Sequence, residues 1–467
     1  MTSFQRAMLV FCGAVLVRLA FHLFTGFTGD DAFITFRYAE NLAAGSGFVY
    51  NSGQQVLGTS SPMFALLLAA FSLAGLKPPF AALMVSLASS GVTAVVVYQL
   101  ALHIGFKQFA WTPTLLYILF PRSVSAESCG METALFTTLV ISAIYLFRTS
   151  RYTWSLVLAS LAIVTRPEGC FALLIIIVAI TYKERGVSWR RLLPPVLIVS
   201  PWLIFSELYF GSVVPHSIPA KLALYNRIGV DSGWERVVFL MAWHNPFGWV
   251  LTGLVVAGCI YLMRKHQTGL LEIAWSFGLI LFYALSPTHL FFWYVAPIYP
   301  VYLILASCPL LSPRLQGSGT DSSTGKVVIY ACTCLALLML FASCRTAVSY
   351  KAQQEVLDSV HRAIGGYLRK NADAADLVAA EDIGYIGYYS RLRILDRDGL
   401  VSPEAVAYNR RGEYGELISS VRPEWVVAGL ESPISAFTAD SSFLRNYVLS
   451  ASFSERSIEY SVFRLVE

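Results

Sequence analysis

Two adjacent aspartates, Asp30 and Asp31, follow an apolar N-terminal segment, Ala7 to Phe24, long enough to cross a bilayer. Carboxylates at the rim of hydrocarbon are costly unless solvated, paired or used, so the pair is a candidate site. The chemistry open to it is removal of a proton from an attacking group. The same residues also suit the start of an interfacial helix, with Asp30 as its cap and Asp31 in its first turn. If a helix begins at Asp30, Arg37 and Asn41 lie on the same face, seven and eleven positions on.

Other polar clusters offer matching chemistry. The segments Gly45-Ser-Gly47, Asn51-Ser-Gly53 and Gly58-Thr-Ser-Ser-Pro62, which includes Ser60, are rich in turn formers. They suit either close approach to a polar ligand such as a sugar or an ordinary surface loop. Arg166-Pro-Glu168 breaks two apolar segments. Its arginine either pairs with Glu168 and snorkels, or holds a phosphate in its planar fork. His216 and Lys221 share the stretch Gly211 to Lys221. No His or Cys spacing supports a metal site, and two neighbouring carboxylates make a poor cage for a divalent cation. A cation or other cofactor is therefore without support.

The elements that must position these residues are membrane helices. The 467-residue chain is 56% hydrophobic and only 13% charged, about half the charge of a soluble domain. The net charge of +5 is scattered through short loops, which argues against nucleic acid. The eight cysteines lie in or beside apolar runs and imply no disulfide framework. The N-terminal segment resembles a signal sequence but lacks a convincing cleavage site, and is read as an uncleaved first helix.

Apolar runs fall near 7–26, 80–102, 109–122, 132–147, 153–166, 169–182, 192–210, 246–263, 270–286, 289–309 and 326–344. The shorter run Pro62–Leu76 is read as re-entrant or interfacial, because only then do Arg6 and the basic loops at Arg148, Lys183–Arg191 and Arg264 share one side. The fold expected is a polytopic α-helical membrane protein of about eleven spans. Its membrane module would cover residues 1–344, with 27–79 as a first outer loop, and every polar cluster above would face outward. Residues 345–467 turn polar, with helical spacing over Val356–Leu368 and strand-like runs at Leu377 and Trp425, predicting a small outer α/β domain. Asp382-Ile-Gly-Tyr-Ile-Gly387 reads as a strand-to-helix turn, since its spacing is wrong for a nucleotide loop.

The run Asp30-Asp-Ala-Phe-Ile-Thr-Phe-Arg-Tyr-Ala-Glu-Asn-Leu42, with Gly45 to Gly53 and Thr59-Ser-Ser-Pro62, resembles the first periplasmic loop of GT-C glycosyltransferases. Ser128-Cys-Gly-Met-Glu-Thr133, Thr165-Arg-Pro-Glu-Gly169, Pro215 to Lys221, Phe292-Trp-Tyr-Val-Ala-Pro297, Asp382 to Tyr389 and Asp396-Arg-Asp-Gly-Leu400 extend the likeness along the chain. Taken together, these motifs resemble the family of the mycobacterial terminal β-(1→2)-arabinofuranosyltransferases and its bacterial relatives. Where such relatives read Tyr-Thr-Asn-Pro-Leu and Pro-Asn-Ser, this chain has Gly58-Thr-Ser-Ser-Pro-Met63 and Pro215-His216-Ser217, so the resemblance implies the reaction class rather than the sugar.

That class moves a sugar from a polyprenyl-phosphate donor to a glycan, lipid or protein acceptor on the outer face of a bacterial inner membrane. A loop-one aspartate is the catalytic residue it implies, here Asp30, with Asp31 supporting. Arg166, Arg37 and Lys221 would hold the donor phosphate. Asn41, Tyr38, Ser60, Glu132, Glu168, His216 and Tyr294 would contact substrate. The rival classes are a lipid-sugar flippase, against which the lack of an internal repeat argues, and a non-catalytic envelope-assembly protein.

Overall fold

The computed structural model describes residues 1–186, 188–228, 246–264, 269–287, 289–311, 323–430 and 437–466, with isolated residues between 233 and 238. Parts of the outer loop 211–245 and the basic cluster after Arg264 thus lie outside the described residues. The membrane module opens with α1 (Ser3–Thr25), α2 (Asp30–Ala43), α3 (Pro62–Leu73), α4 (Pro78–Ile104), α5 (Trp111–Leu119), α6 (Pro121–Ser128) and α7 (Thr133–Arg148). It continues through α8 (Tyr152–Thr165), α9 (Gly169–Glu184), α10 (Trp189–Phe210) and α11 (Ser217–Ile228). Further helices cover Pro246–Arg264, Leu270–Leu285, Tyr299–Ser307 and Ser323–Val356.

Five of the described helices are long and apolar enough to cross a membrane, or six if α6 and α7 count as one span. Others are short: α8 has 14 residues and Leu270–Leu285 has 16. At 1.5 Å per residue these fall short of a hydrocarbon core of about 30 Å. Outward-facing Phe4, Leu16 and Leu23 on α1 suit a lipid surface. Arg6 is exposed near its start, but Arg18, deep in the apolar stretch, turns inward. Arg18, only 1% exposed, pairs with Glu127 at 3.0 Å, and Glu127 also accepts from Ser90 and Tyr117. A fully hydrogen-bonded network of this kind is tolerated in hydrocarbon where a lone charge is not. It fixes α6 against α1, α4 and α5.

Between α6 and α7 the chain bends by 118°. Gly130 makes that turn at φ +84°, and a Cβ there would press on Thr28 at 2.9 Å. The bend delivers Glu132 to the start of α7.

The helix Ser323–Val356 passes residue 345 without a break and continues through a π-helical turn, Leu357–Arg362, into Ala363–Asn371. Five strands follow: β1 (Leu377–Ala380), β2 (Arg393–Asp396), β3 (Trp425–Gly429), β4 (Tyr447–Glu455) and β5 (Ile458–Leu465), in the order β2-β1-β3-β5-β4. The first three are parallel; β5 and β4 close one edge antiparallel. The glycine motif after β1 opens the helix Ile383–Ser390, as the turn reading expects.

This domain does not hang free. Ile34, Tyr38, Phe48, Tyr50 and Leu57 of the first loop share one buried cluster with Ile364, Val378, Ile386 and Trp425. Phe33 and Phe36 pack with Tyr385 in another. The loop-one helix is thereby held between the bundle and the sheet domain.

Candidate active site

The chain places Asp30 and Asp31 in the first turn of α2, whose N-cap is Gly29. Asp30 therefore caps a helix other than its own. Its two carboxylate oxygens accept from the backbone N–H of Gly384 at 2.9 Å and of Tyr385 at 2.8 Å, at the start of Ile383–Ser390. This is an N-terminal cap supplied across more than three hundred residues. Burial and the nearby Asp382 push the Asp30 carboxyl up to about 8, against the pull of the two amides. Asp31, one residue on, points the other way and lines a cavity of about 340 Å³.

The same cavity gathers Glu132, Arg166, Glu168, Lys221 and Tyr294, together with Ser60. Arg166 is 3% exposed. Its Nη2 donates to Glu168 at 2.9 Å and to the Tyr283 hydroxyl at 3.1 Å, and its Nε lies 3.8 Å from Glu132. Its Nη1 is buried with no hydrogen-bond partner among the described residues. The Tyr294 ring lies 5.3 Å from the guanidinium and stacks on Tyr283. Lys221 donates to the Tyr294 hydroxyl at 3.2 Å. Burial works against its ammonium, but Tyr294 and Asp31 outweigh that and hold its pKa above the ordinary lysine value. Thr35, Thr59 and Ser61 form a hydroxyl chain with 3.2 Å links along the loop-one wall.

Several expected site residues are used elsewhere. Arg37 donates to the carbonyls of Tyr50 and Gly387 at 2.8 Å and of Leu392 at 2.6 Å, clamping loop one to the sheet domain. Asn41 donates to Val49 and Tyr50 carbonyls, and Tyr38 bridges Val56 and Gly58. His216 is tied through its backbone to Leu57, and its ring does not line the cavity. The helical alignment of Arg37 and Asn41 is present, but their side chains hold backbone because a buried guanidinium must satisfy its donors wherever carbonyls stand.

Among solved structures, ArnT from Cupriavidus metallidurans in the apo state matches with a TM-score of 0.68 at 14% identity, over 99% of this chain and 98% of that one. The same protein bound to undecaprenyl phosphate matches at 0.62 and 12%, with the same coverage. The chain has the fold of ArnT. Residues 347–463 also match the family model described as a domain of unknown function (DUF8728). No curated protein matches at the sequence level.

Two further cavity residues, Tyr283 and Trp293, carry no signal of their own in the sequence. Tyr283 lies in an apolar run whose period hides one inward hydroxyl; Trp293 sits beside the quoted Tyr294, and its Nε1 is buried without a partner among the described residues.

A pH effect follows from Asp30. Its folded pKa lies above the ordinary 3.8, so its contribution to stability is complete below that value and is lost as pH rises through about 8. Asp396, pushed up to about 7 by burial and Asp398, acts in the same direction. Thermal unfolding should therefore shift to lower temperature between about pH 4 and 8 and level off above that, and Asp30→Asn should flatten part of that slope. A midpoint rising over this range in the wild type would overturn the sign.

Proposed function

We propose that this protein is a membrane glycosyltransferase that takes a sugar from a polyprenyl-phosphate donor and passes it to a hydroxyl of an envelope glycan, lipid or protein on the outer face. The observation that carries this reading is one cavity in which a carboxylate, Asp31, faces two cations, Arg166 and Lys221, with an Arg166 nitrogen unpartnered among the described residues. Glycosyl transfer from a lipid phosphate needs that set. As the acceptor oxygen bonds to the anomeric carbon, Asp31 takes its proton. The bond from that carbon to the phosphate oxygen breaks, and Arg166 and Lys221 neutralise the departing phosphate. Glu132 and Glu168 hold the Arg166 fork in place. The undecaprenyl phosphate bound to the ArnT neighbour supports a lipid-linked donor.

In this reading the shorter apolar helices cross by thinning the bilayer locally and complete about eleven crossings, with the N-terminus in the cytoplasm of a bacterium and the sheet domain outside. Polyprenyl-phosphate arabinofuranose is the first donor to assay, on the resemblance of loop one. The protein in liposomes, given labelled donor and an envelope glycan extract, should place label in the glycan and release polyprenyl phosphate. Movement of intact donor between leaflets without bond formation would sink the reading in favour of transport. Arg166→Lys should raise the donor KM about tenfold, because an ammonium cannot bridge Glu168, Tyr283 and a phosphate together; an unchanged KM would remove Arg166 from the phosphate site.

A further inference from the structure

A second cavity, of about 350 Å³, lies in the sheet domain and is lined by Glu381, Asp382, Arg397, Asp398, Glu459 and Tyr460 among others. It sits where the parallel strands end: Glu381 and Asp382 follow β1, Arg397 and Asp398 follow β2, and Gly429 closes β3. The chain leaves β1 for β2 on one side and returns as β3 on the other. Such a reversal opens a crevice at the carboxyl ends of the strands, where open α/β sheets bind ligands.

Its lining is built for hydroxyls. Arg397 is fixed between Glu381 and Asp398, each 2.6 Å away, so its fork and their remaining lone pairs face the space together. Tyr460 adds a ring face and bonds Asp382. Behind Asp382, His361 is 8% exposed, its Nε2 3.8 Å from that carboxylate, and neither ring nitrogen has a hydrogen-bond partner among the described residues. Four carboxylates against one guanidinium leave the cavity negative, which repels phosphate or acidic sugars. The same loop walls both cavities. Leu400 lines the first, two residues beyond Asp398 in the second, and Asp396 anchors the turn by accepting from the Asp398 and Val401 amides.

We infer that this cavity is an acceptor subsite that holds an uncharged or amine-bearing sugar ring of the glycan and excludes phosphorylated ones. As an acceptor site it rests on the transferase reading; as a sugar site it does not. The test is saturation-transfer NMR on the full chain in lipid nanodiscs. The probes are arabino-, manno-, galacto- and gluco-trisaccharides and a glucosamine trimer, with mannose 6-phosphate as the anion. At least one uncharged or amino trisaccharide should bind. Glu459→Gln, on the exposed rim, and Asp398→Asn should each weaken it about tenfold, and mannose 6-phosphate should not bind. No trisaccharide binding, binding indifferent to both substitutions, or a preference for the phosphate would each overturn the subsite. Donor consumption by the wild type is measured separately. Trisaccharide binding without it would refute the transferase reading and leave a sugar site.

Discussion

Asparagine in place of Asp31 should lower the turnover of sugar transfer by about 10²–10⁴-fold, the range a lost general base produces. The donor KM should change little, because Arg166 and Lys221 remain to hold the phosphate. The substitution keeps shape, and α2 keeps its Gly29 cap, so folding should be unaffected. Asp30→Asn is the informative companion. It leaves the cavity lining intact but weakens the cap on Ile383–Ser390, so its effect should appear first as looser docking of the sheet domain. Single-turnover kinetics on both variants, with hydrogen exchange over residues 383–390, separates the two. Full activity in Asp31→Asn would return the chemistry to Asp30 or remove it from loop one.

Alanine at Gly387 should undock the sheet domain. A Cβ there would overlap the Tyr50 hydroxyl and lie 2.9 Å from Arg37 Nη1, the atom that donates to the Gly387 carbonyl. At Gly384 it would overlap the Asp30 backbone. Overpacking costs about 1–3 kcal/mol, and the displaced Arg37 would leave buried donors unmet at about 1–3 kcal/mol each. The amides of Ile383–Ser390 should lose exchange protection, and transfer should fall with them, because the same helix α2 carries Asp31 into the first cavity. Gly366→Ala is the control: its Cβ would meet nothing within 4 Å, and helical alanine should stabilise by about 0.4–1 kcal/mol. If Gly387→Ala proved as stable as Gly366→Ala, the glycines would not be docking contacts.

The helical bundle and the sheet domain were legible in the chain because both announce themselves by period. Twenty-residue apolar runs mark helices, and the short runs at Leu377 and Trp425 became parallel strands buried on both faces. The convergence of Asp31, Glu132, Arg166, Lys221 and Tyr294 was legible as residue types near one membrane face, through spacing and the loop-one resemblance. What each charge does was not. Arg37 and Arg166 look alike in sequence, yet one is consumed by three backbone carbonyls and the other, among the described residues, keeps one nitrogen without a partner in a cavity. Two of the three carbonyls that consume Arg37 lie 350 and 355 residues away, where no local pattern announces them.

The aspartate pair draws the line most clearly. By itself the sequence determined that two costly carboxylates open a loop helix beside a membrane span, since hydropathy and charge are properties of the chain. Only the tertiary structure gave the two different surroundings. Successive residues on a helix point about 100° apart, so one neighbour meets the amides of a distant helix and the other a cavity with two cations. Asp30 fastens the domain, and Asp31 is left facing the site.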